Sequence, residues 1–313
     1  MDIPTIQPPR LRTGDTIAIV APAGTVEHGS LSGGSLERGI ATLERMGFRV
    51  RLEERVFESE RYLAGSDVSR AEELMCAFED SSVKAVIALR GGYGCSRLIP
   101  YLMEKRLRRH PKIFSGYSDL TTLHLFFSRR FGWITFHGPM AASPSLGSIP
   151  ADEQQHLLTL WTDPDYHPVL SFDRLETWCP GRAEGILTGG CLSIIDASIG
   201  TSYEIKTEGK ILFLEDLGEP PYRLDRILTH LRLAGKLQSI SGILLGSFLD
   251  CEPTDGSYTA ADTLRDLLSD LGVPILAGFP AGHGNENWTL PLGVRIVMDA
   301  DARSIQFVDS AVS

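Results

Sequence analysis

The sequence predicts an α/β protein: one domain on a doubly wound, largely parallel sheet, followed by a second α/β domain richer in antiparallel strand. Three observations carry this. Strand-like and helix-like runs alternate through the first half of the 313 residues, as a chain must do to lay parallel strands side by side. The alternation lapses between Ser143 and about Gly181, then resumes and closes on two strand-like runs. Glycine-rich turns follow several strand-like runs, at the carboxyl ends where open parallel sheets hold their ligands.

Taken in order, TIAIVAPA is a first buried strand. SLERGIATLERMGF is a helix with apolar residues at helical spacing and Gly47 as its stop. FRVRLEE and SRAEELMCAFED give a second strand and helix. VKAVIALRGGYG is a buried strand running into a glycine loop, and CSRLIPYLMEKRL is a helix. KIFSGYS, DLTTLHLFFSRR and WITFHGP give strand, helix and strand. Residues 1–150 are therefore assigned to an N-terminal α/β domain. Residues 151–182 hold a short helix around EQQHLLTLW amid DPDYHP and CPGR, and read as an inter-domain connection. Residues 183–313 form a C-terminal β/α domain. It runs through strand GKILFLED, helix RLDRILTHLRLAG, strand SGILLGSF, helix TAADTLRDLLSDLG, then PILAGFPAG and the strands RIVMDA and SIQFVD.

The composition, 42% hydrophobic and 22% charged, is that of an ordinary globular protein. A formal charge of −10 disfavours a broad nucleic-acid or anionic-membrane surface, which needs clustered Lys and Arg, but leaves room for a small basic pocket. Five scattered cysteines (Cys76, Cys95, Cys179, Cys191, Cys251) without a CxxC pair argue against a disulfide framework or structural zinc and fit a reducing compartment. The apolar run Ile17–Ala21 is too short for a signal segment, and no run approaches the roughly 18 residues that span a bilayer. A cytoplasmic protein is expected, without cofactor, metal, nucleic-acid or membrane partner.

Four windows could carry chemistry. In KIFSGYSDLTTLH, Ser118 stands where a strand-like run hands over to a helix. Serine before Asp-Leu-Thr-Thr is a favourable N-cap, and this window alone favours that role. The same turn would lift a nucleophilic Oγ clear of the sheet and offer the N–H of Asp119 to an oxyanion. GYSDL is half of a G-x-S-x-G elbow, with Gly116 in place and Leu120 where the second glycine would stand. The loop of ALRGGYGCSRL either brings backbone N–H groups close to a ligand or is simply a tight turn; it meets neither nucleotide-binding glycine motif. Cys95 beyond it reads as a buried, inert cysteine.

In ILFLEDLGEPPYRLDRILTHL, four apolar residues run directly into Glu215 and Asp216. Buried charge needs a partner, so either one acid is paired there or both lie in a solvated loop. Glu219 and Asp225 read as a loop acid and a helix-surface acid, within reach of Arg223 and Arg226 in pairs of little energetic weight. In LAGFPAGHGNENWTLPLG, His283 is the one histidine set between two glycines, a good place for a base reaching across a cleft. No second His or Cys lies near it at metal-ligand spacing. His124, His137, His156 and His230 fall in helix or strand patterns and read as structural. A serine, an acid and a loop histidine, each at the end of an element, are the inventory of a Ser–acid–His triad in a known chain order. The sequence leaves their convergence open.

LRGGYG, GYSD, FLEDLGEPPYRLDRIL and PAGHGNENWTLPLG, in that order and behind GDTIAIVAPAG, resemble the LD-carboxypeptidase family, serine peptidases of the murein tetrapeptide carboxypeptidase and microcin-immunity type. The likeness spans nearly the whole chain. It implies a flavodoxin-like N-terminal domain joined to a C-terminal swivelling β/α domain, with the site in the cleft between them. It makes Ser118 the nucleophile, His283 the general base and Glu215 the residue orienting that base, with Asp216 only a neighbour. It implies an oxyanion hole built from the N–H groups of Asp119 and of the GGYG loop, where Gly92 is the choice. The implied reaction cleaves a terminal D-alanine from the L-configured centre of the diamino acid in a murein tetrapeptide, as cytosolic cell-wall recycling by a homodimer.

Arg90, immediately before the glycines, is a candidate for the substrate's terminal carboxylate, against an equal alternative of a structural salt bridge. Three rivals stand beside this reading. One is a microcin-type peptidase cleaving a peptidyl-nucleotide, a choice that depends on aromatic residues able to stack a base and that Trp178 and Trp288 do not settle. Another is an α/β-hydrolase esterase, disfavoured by Leu120 and by the lack of an HGGG-type loop. The third is a two-domain small-ligand binding protein in which Ser118 only caps its helix.

Overall fold

The first five strands of the computed structural model, which describes residues 3–26, 34–253 and 258–313, are β1 (Thr16–Val20), β2 (Arg49–Leu52), β3 (Val83–Ala88), β4 (Ile113–Gly116) and β5 (Thr135–His137). They pair in parallel in the order 2-1-3-4-5. This is the flavodoxin-like order, in which the chain reverses direction across the sheet between β1 and β3. Seven helices belong to this part: α1 (Ser35–Arg45), α2 (Asp67–Glu79), α3 (Cys95–Leu98), α4 (Glu104–Leu107), α5 (Thr121–Phe131), α6 (Pro144–Gly147) and α7 (Ala151–Thr162). Helices over both faces explain why the central strands are near-continuous apolar runs, with Ile17, Ile19, Val86, Ile87 and Phe114 fully buried. Phe78, Phe127, Phe131 and Trp133 form one aromatic cluster against the sheet.

Two expectations need correction here. CSRLIPYLMEKRL is not one helix. Pro100 has no N–H to continue the ladder, so α3 passes into a 3₁₀ turn over Ile99–Tyr101, Leu102 is extended, and α4 starts afresh at Glu104. Residues 151–182 are also not a free-standing connection. The chain divides into one unit of Met1–Tyr166, Trp288–Pro291 and Ala311–Ser313, and a second of His167–Asn287 and Leu292–Ser310. α7 lies in the first unit because it buries Leu157, Leu160 and Trp161. The Trp161 carbonyl accepts from Leu11 N–H at 2.8 Å, and His156 Nε2 donates to the Thr289 carbonyl at 2.9 Å.

The second unit continues with β6 (Val169–Leu170), β7 (Glu176–Cys179), β8 (Arg182–Cys191), α8 (Leu192–Ser198), β9 (Ile211–Leu217), α9 (Pro221–Leu233), β10 (Gly242–Leu249), α10 (Ala260–Leu268) and β11 (Ile275–Ala277). β12 (Leu290–Leu292) completes the first sheet beside β5, and β13 (Arg295–Asp299) and β14 (Ser304–Phe307) return to the second. That sheet has the order 6-14-13-8-9-10-11-7. β8, β9, β10 and β11 run parallel, and antiparallel strands flank them on both sides. The sequence reading does not anticipate β8, because Gly185, Gly189 and Gly190 interrupt its apolar pattern. The glycine at 189 is required by packing: a Cβ there would lie 1.9 Å from the Phe213 carbonyl oxygen. Among the described residues no helix is long and apolar enough to cross a membrane.

Candidate active site

The loops that leave β1 and β3 meet at the point where the strand order reverses. Gly24 N–H donates to the Gly91 carbonyl at 3.2 Å, and a Cβ on Gly24 would sit 2.9 Å from that same oxygen. A trans peptide sets its C=O and N–H on opposite sides. Engaging the Gly91 carbonyl therefore turns the Gly92 N–H away from Gly24, and the φ of +117° at Gly92 is one that glycine alone adopts without strain.

Ser118 faces this loop. A Cβ on Gly91 would approach Ser118 Cβ at 3.0 Å and its Oγ at 3.1 Å, so Gly91, a residue the sequence reading did not single out, is the glycine in contact with the serine. Ser118 is half-buried and has a φ of +65°, in the left-handed region that disfavours a residue with a Cβ. The N-cap role is not observed. Ser118 is the first residue of a 3₁₀ turn, Ser118–Leu120, whose cap residue is Tyr117, and no side-chain cap hydrogen bond is made there or at the start of α5. The serine thus occupies a strained strand-to-helix turn, the conformation of a nucleophile elbow. Leu120 is accommodated because Gly116 lacks a side chain: a Cβ at 116 would lie 2.8 Å from Leu120 Cγ.

Neighbouring groups hold these loops in place. Arg70, 1% exposed on α2, donates through Nη1 to the carbonyls of Pro22 and Gly94, the latter at 3.1 Å, while its Nη2 pairs with Asp67 at 2.5 Å. One buried guanidinium thus ties the loop after β1 to the loop after β3. Asp119, buried beside Ser118, accepts the Cys95 N–H at 2.8 Å. Burial, and then the charge of Asp119, push the Cys95 thiol well above its ordinary range, so Cys95 is inert. His124 donates from Nε2 to the Gly116 carbonyl at 2.8 Å, and burial pushes it down to about 3, so it is a neutral structural histidine. Arg90 is exposed, donates to the Thr25 carbonyl at 3.1 Å, and among the described residues makes no ion pair.

In the second unit Glu215 and Asp216 are 0% and 2% exposed, which rules out the solvated-loop reading. Successive residues of a strand point to opposite faces, and β9 uses both. Asp216 accepts from Ser193 N–H at 2.7 Å, Ser193 Oγ at 3.2 Å and Leu217 N–H at 2.8 Å, so it holds the start of α8. Glu215 Oε2 lies 2.7 Å from His283 Nδ1. Because a carboxylate only accepts, Nδ1 carries the proton and Nε2 is the basic nitrogen of the neutral ring. Burial disfavours the imidazolium, but the Glu215 hydrogen bond with the charges of Glu215 and Asp216 outweighs it, and His283 titrates above its ordinary value.

The glycine before the histidine is dictated by Glu215. Gly282 has a φ of +115°, and a Cβ there would fall 2.5 Å from Glu215 Oε2. Ser247 and Asn287, not anticipated from sequence, clamp the loop. Ser247 donates its N–H to the Ala281 carbonyl at 2.9 Å, and its Oγ accepts the Gly284 N–H at 3.1 Å. Asn287 Oδ1 accepts the Gly282 N–H at 3.0 Å. Glu219 is a loop acid as expected, though a buried one, and its pair with Arg223 forms at 2.5 Å. The structure therefore joins Glu215 to His283 in the second unit, and groups Ser118, Asp119 and the glycine loop in the first.

Comparison with known proteins shows the family of the chain. Residues 17–138 match the LD-carboxypeptidase N-terminal domain and residues 184–298 the LD-carboxypeptidase C-terminal domain. A probable murein peptide carboxypeptidase of Bacillus subtilis is 34% identical over 310 residues, covering 98% of this chain and 95% of that protein. The structure of a muramoyltetrapeptide carboxypeptidase from Oxalobacter formigenes superposes with a TM-score of 0.80 at 33% identity, covering 93% of this chain and 97% of that one. The microcin C7 self immunity protein MccF superposes with a TM-score of 0.90 at 23% identity, covering 98% and 100%, a likeness of fold. The chain belongs to the LD-carboxypeptidase family and is a serine carboxypeptidase.

Proposed function

We propose that Ser118, His283 and Glu215 act together to release the terminal D-alanine of a murein tetrapeptide by cleaving its bond to the L-centre of the diamino acid. The observation that carries this reading is the Glu215–His283 hydrogen bond, which fixes the proton on Nδ1 and so makes Nε2 the basic nitrogen of a loop histidine. His283 takes the Ser118 proton as Oγ attacks the scissile carbonyl. The oxyanion that develops is met by the N–H groups of Asp119, heading a helical turn, and of Gly92, whose peptide plane the Gly24 contact orients. His283 then protonates the departing amine of D-alanine. Water, deprotonated by the same Nε2, attacks the acyl-enzyme, and Ser118 leaves with the proton.

Arg90, exposed and without an ion-pair partner among the described residues, is proposed to receive the free carboxylate of the terminal D-alanine. In the same reading the enzyme serves cell-wall recycling in the cytosol, as a homodimer. Trp178, whose ring could have stacked a nucleobase, already has the Arg265 guanidinium over its face at 4.5 Å and donates to Glu176 at 3.0 Å.

The test is incubation of the purified protein with murein tetrapeptide while following free D-alanine. Release that disappears in Ser118→Ala is expected. Cleavage of an aminoacyl-nucleotide analogue, with no D-alanine from tetrapeptide, would replace this reading with the microcin-immunity one. Retained hydrolysis in Ser118→Ala would remove the serine from the mechanism.

A further inference from the structure

Beneath the amino ends of β1, β3 and β4, the end of the sheet opposite Ser118, lies an open cavity of about 640 Å³. Its lining includes Arg10, Arg12, Lys84, Arg109 and His110, with Asp15 as the one acidic side chain. The cations come from the segment before β1, from β3 and from the turn before β4, so the fold and not local sequence gathers them. Lys112, also in the lining, is already committed to the carbonyls of Ala77 and Asp80. Asp15 is likewise engaged, accepting the Arg12 backbone N–H at 2.7 Å.

Many arginines of the chain meet carboxylates: Arg51 pairs with Glu53 and Asp80, Arg106 with Glu72 and Glu79, Arg232 with Asp270 and Arg295 with Asp309. Among the described residues Arg10, Arg12, Lys84 and Arg109 have no such partner. Lys84 Nζ reaches only the Ser81 carbonyl, at 2.7 Å, which leaves other ammonium protons unused. In a chain of formal charge −10, a cavity with Arg10, Arg12, Lys84 and Arg109 on several sides and Asp15 as its one acidic side chain concentrates positive potential.

We propose that this cavity binds a small molecule carrying a chain of two or more phosphates. Its volume falls in the range of small-molecule sites, roughly 300–1,000 Å³, and exceeds what one orthophosphate fills. Arginine forks and a lysine point charge together suit adjacent phosphate groups. A ligand at the amino ends of the strands is separate from the substrate, which such sheets hold at the carboxyl ends. The proposal does not depend on the identity of that substrate.

The test is calorimetric titration of the full chain with pyrophosphate at low ionic strength. Saturable binding is expected, weakening as salt is added and by about tenfold or more in Lys84→Glu/Arg109→Glu, which replaces two charge-assisted contacts with repulsion. Both positions are exposed, and unchanged thermal melting checks that the variant folds. Should it not, Arg109→Gln alone must still weaken pyrophosphate. Absence of saturable heat, or an affinity unchanged in the variants, overturns the site. Equal affinity for citrate overturns the phosphate assignment, and equal affinity for orthophosphate overturns the requirement for a chain.

Discussion

Glu215 Oε2 lies 2.7 Å from Nδ1 of His283, and the carboxylate is wholly buried while the imidazole keeps 12% of its side chain exposed. The buried carboxylate cannot be solvated, so its charge is met by the ring, and the hydrogen bond fixes the tautomer with the proton on Nδ1. Glu215→Gln keeps the shape but allows the amide to present either donor or acceptor to Nδ1, so the productive tautomer is no longer enforced. The expected result is a fall in kcat/KM for D-alanine release of about 10³-fold or more, with little change in KM. Asp216→Asn, by contrast, should act on stability, since that residue holds the start of α8. Equal kinetic losses in the two variants would contradict the division of labour along β9.

The pH profile should carry the same signature. Burial lowers His283, but the bond and charge of Glu215 with the charge of Asp216 raise it further, so it titrates above about 6.5. A general base works when neutral, so the acid limb of kcat/KM should have its midpoint above that value. Removing the Glu215 charge leaves the burial in place, and the limb should then move to lower pH. For stability the sign follows from a folded pKa above the unfolded one. The contribution is complete below the unfolded value of about 6.5 and is lost as pH rises through the folded value. Denaturation midpoints that fall over that range in the wild type but not in His283→Gln would show it; a rise would contradict it.

Ser118 combines a role with a backbone cost. A non-glycine residue at a φ of +65° carries strain of about 1 kcal/mol. Ser118→Ala keeps the strain and removes the hydroxyl, so turnover should fall by several orders of magnitude with stability nearly unchanged. Ser118→Gly should be as inactive and more stable than Ser118→Ala by about 1 kcal/mol, up to the entropy glycine adds to the unfolded chain. Chemical denaturation of the two variants decides it.

Gly91 is where a single methyl should act on the serine. A Cβ there meets Ser118 Cβ at 3.0 Å and Oγ at 3.1 Å, tighter than ordinary contact, so the serine must shift by a few tenths of an ångström. Gly91 is not in the left-handed region, so Gly91→Ala should fold. A loss of about 10²-fold in kcat/KM is expected from misplacing the attacking atom. Wild-type rates in this variant would show that the loop gives way instead.

Arg70 should matter for both loops at once. Arg70→Met keeps the bulk but strips the donors from the Pro22 and Gly94 carbonyls, at a cost of about 1–3 kcal/mol for the buried acceptors left behind. If the clamp positions the glycine loop, kcat falls beyond what lowered stability explains, and Arg70→Lys, one point charge in place of a fork, does not restore it. A lower melting temperature with unchanged kcat would make Arg70 purely structural.

Much of this architecture is legible in sequence because it rests on local patterns. The strand-and-helix alternation before β5, the stop at Gly47 and the run of apolar residues into Glu215 are short-range signals of period and burial. The family likeness is carried by four ordered motifs that each lie at the end of a strand. The failures are equally local in cause. Pro100 broke a helix that periodicity extended, glycines masked β8, and a polar, proline-bearing stretch hid the edge strands β6 and β7.

By itself the sequence determined the fold class, the family and which serine, acid and histidine to suspect, since residue type and order suffice for those. The family likeness favoured Glu215 over Asp216, but only the tertiary structure supplies the reason: alternation along β9 turns the two acids to opposite faces, and Glu215 meets His283 while Asp216 holds the start of α8. Tertiary structure also decided between cap and elbow for Ser118. A capping serine and an exposed nucleophile can share the same flanking residues, and they differ in a backbone angle, here +65°, that the packing of Gly91, Gly116 and Leu120 accommodates and that no local preference favours.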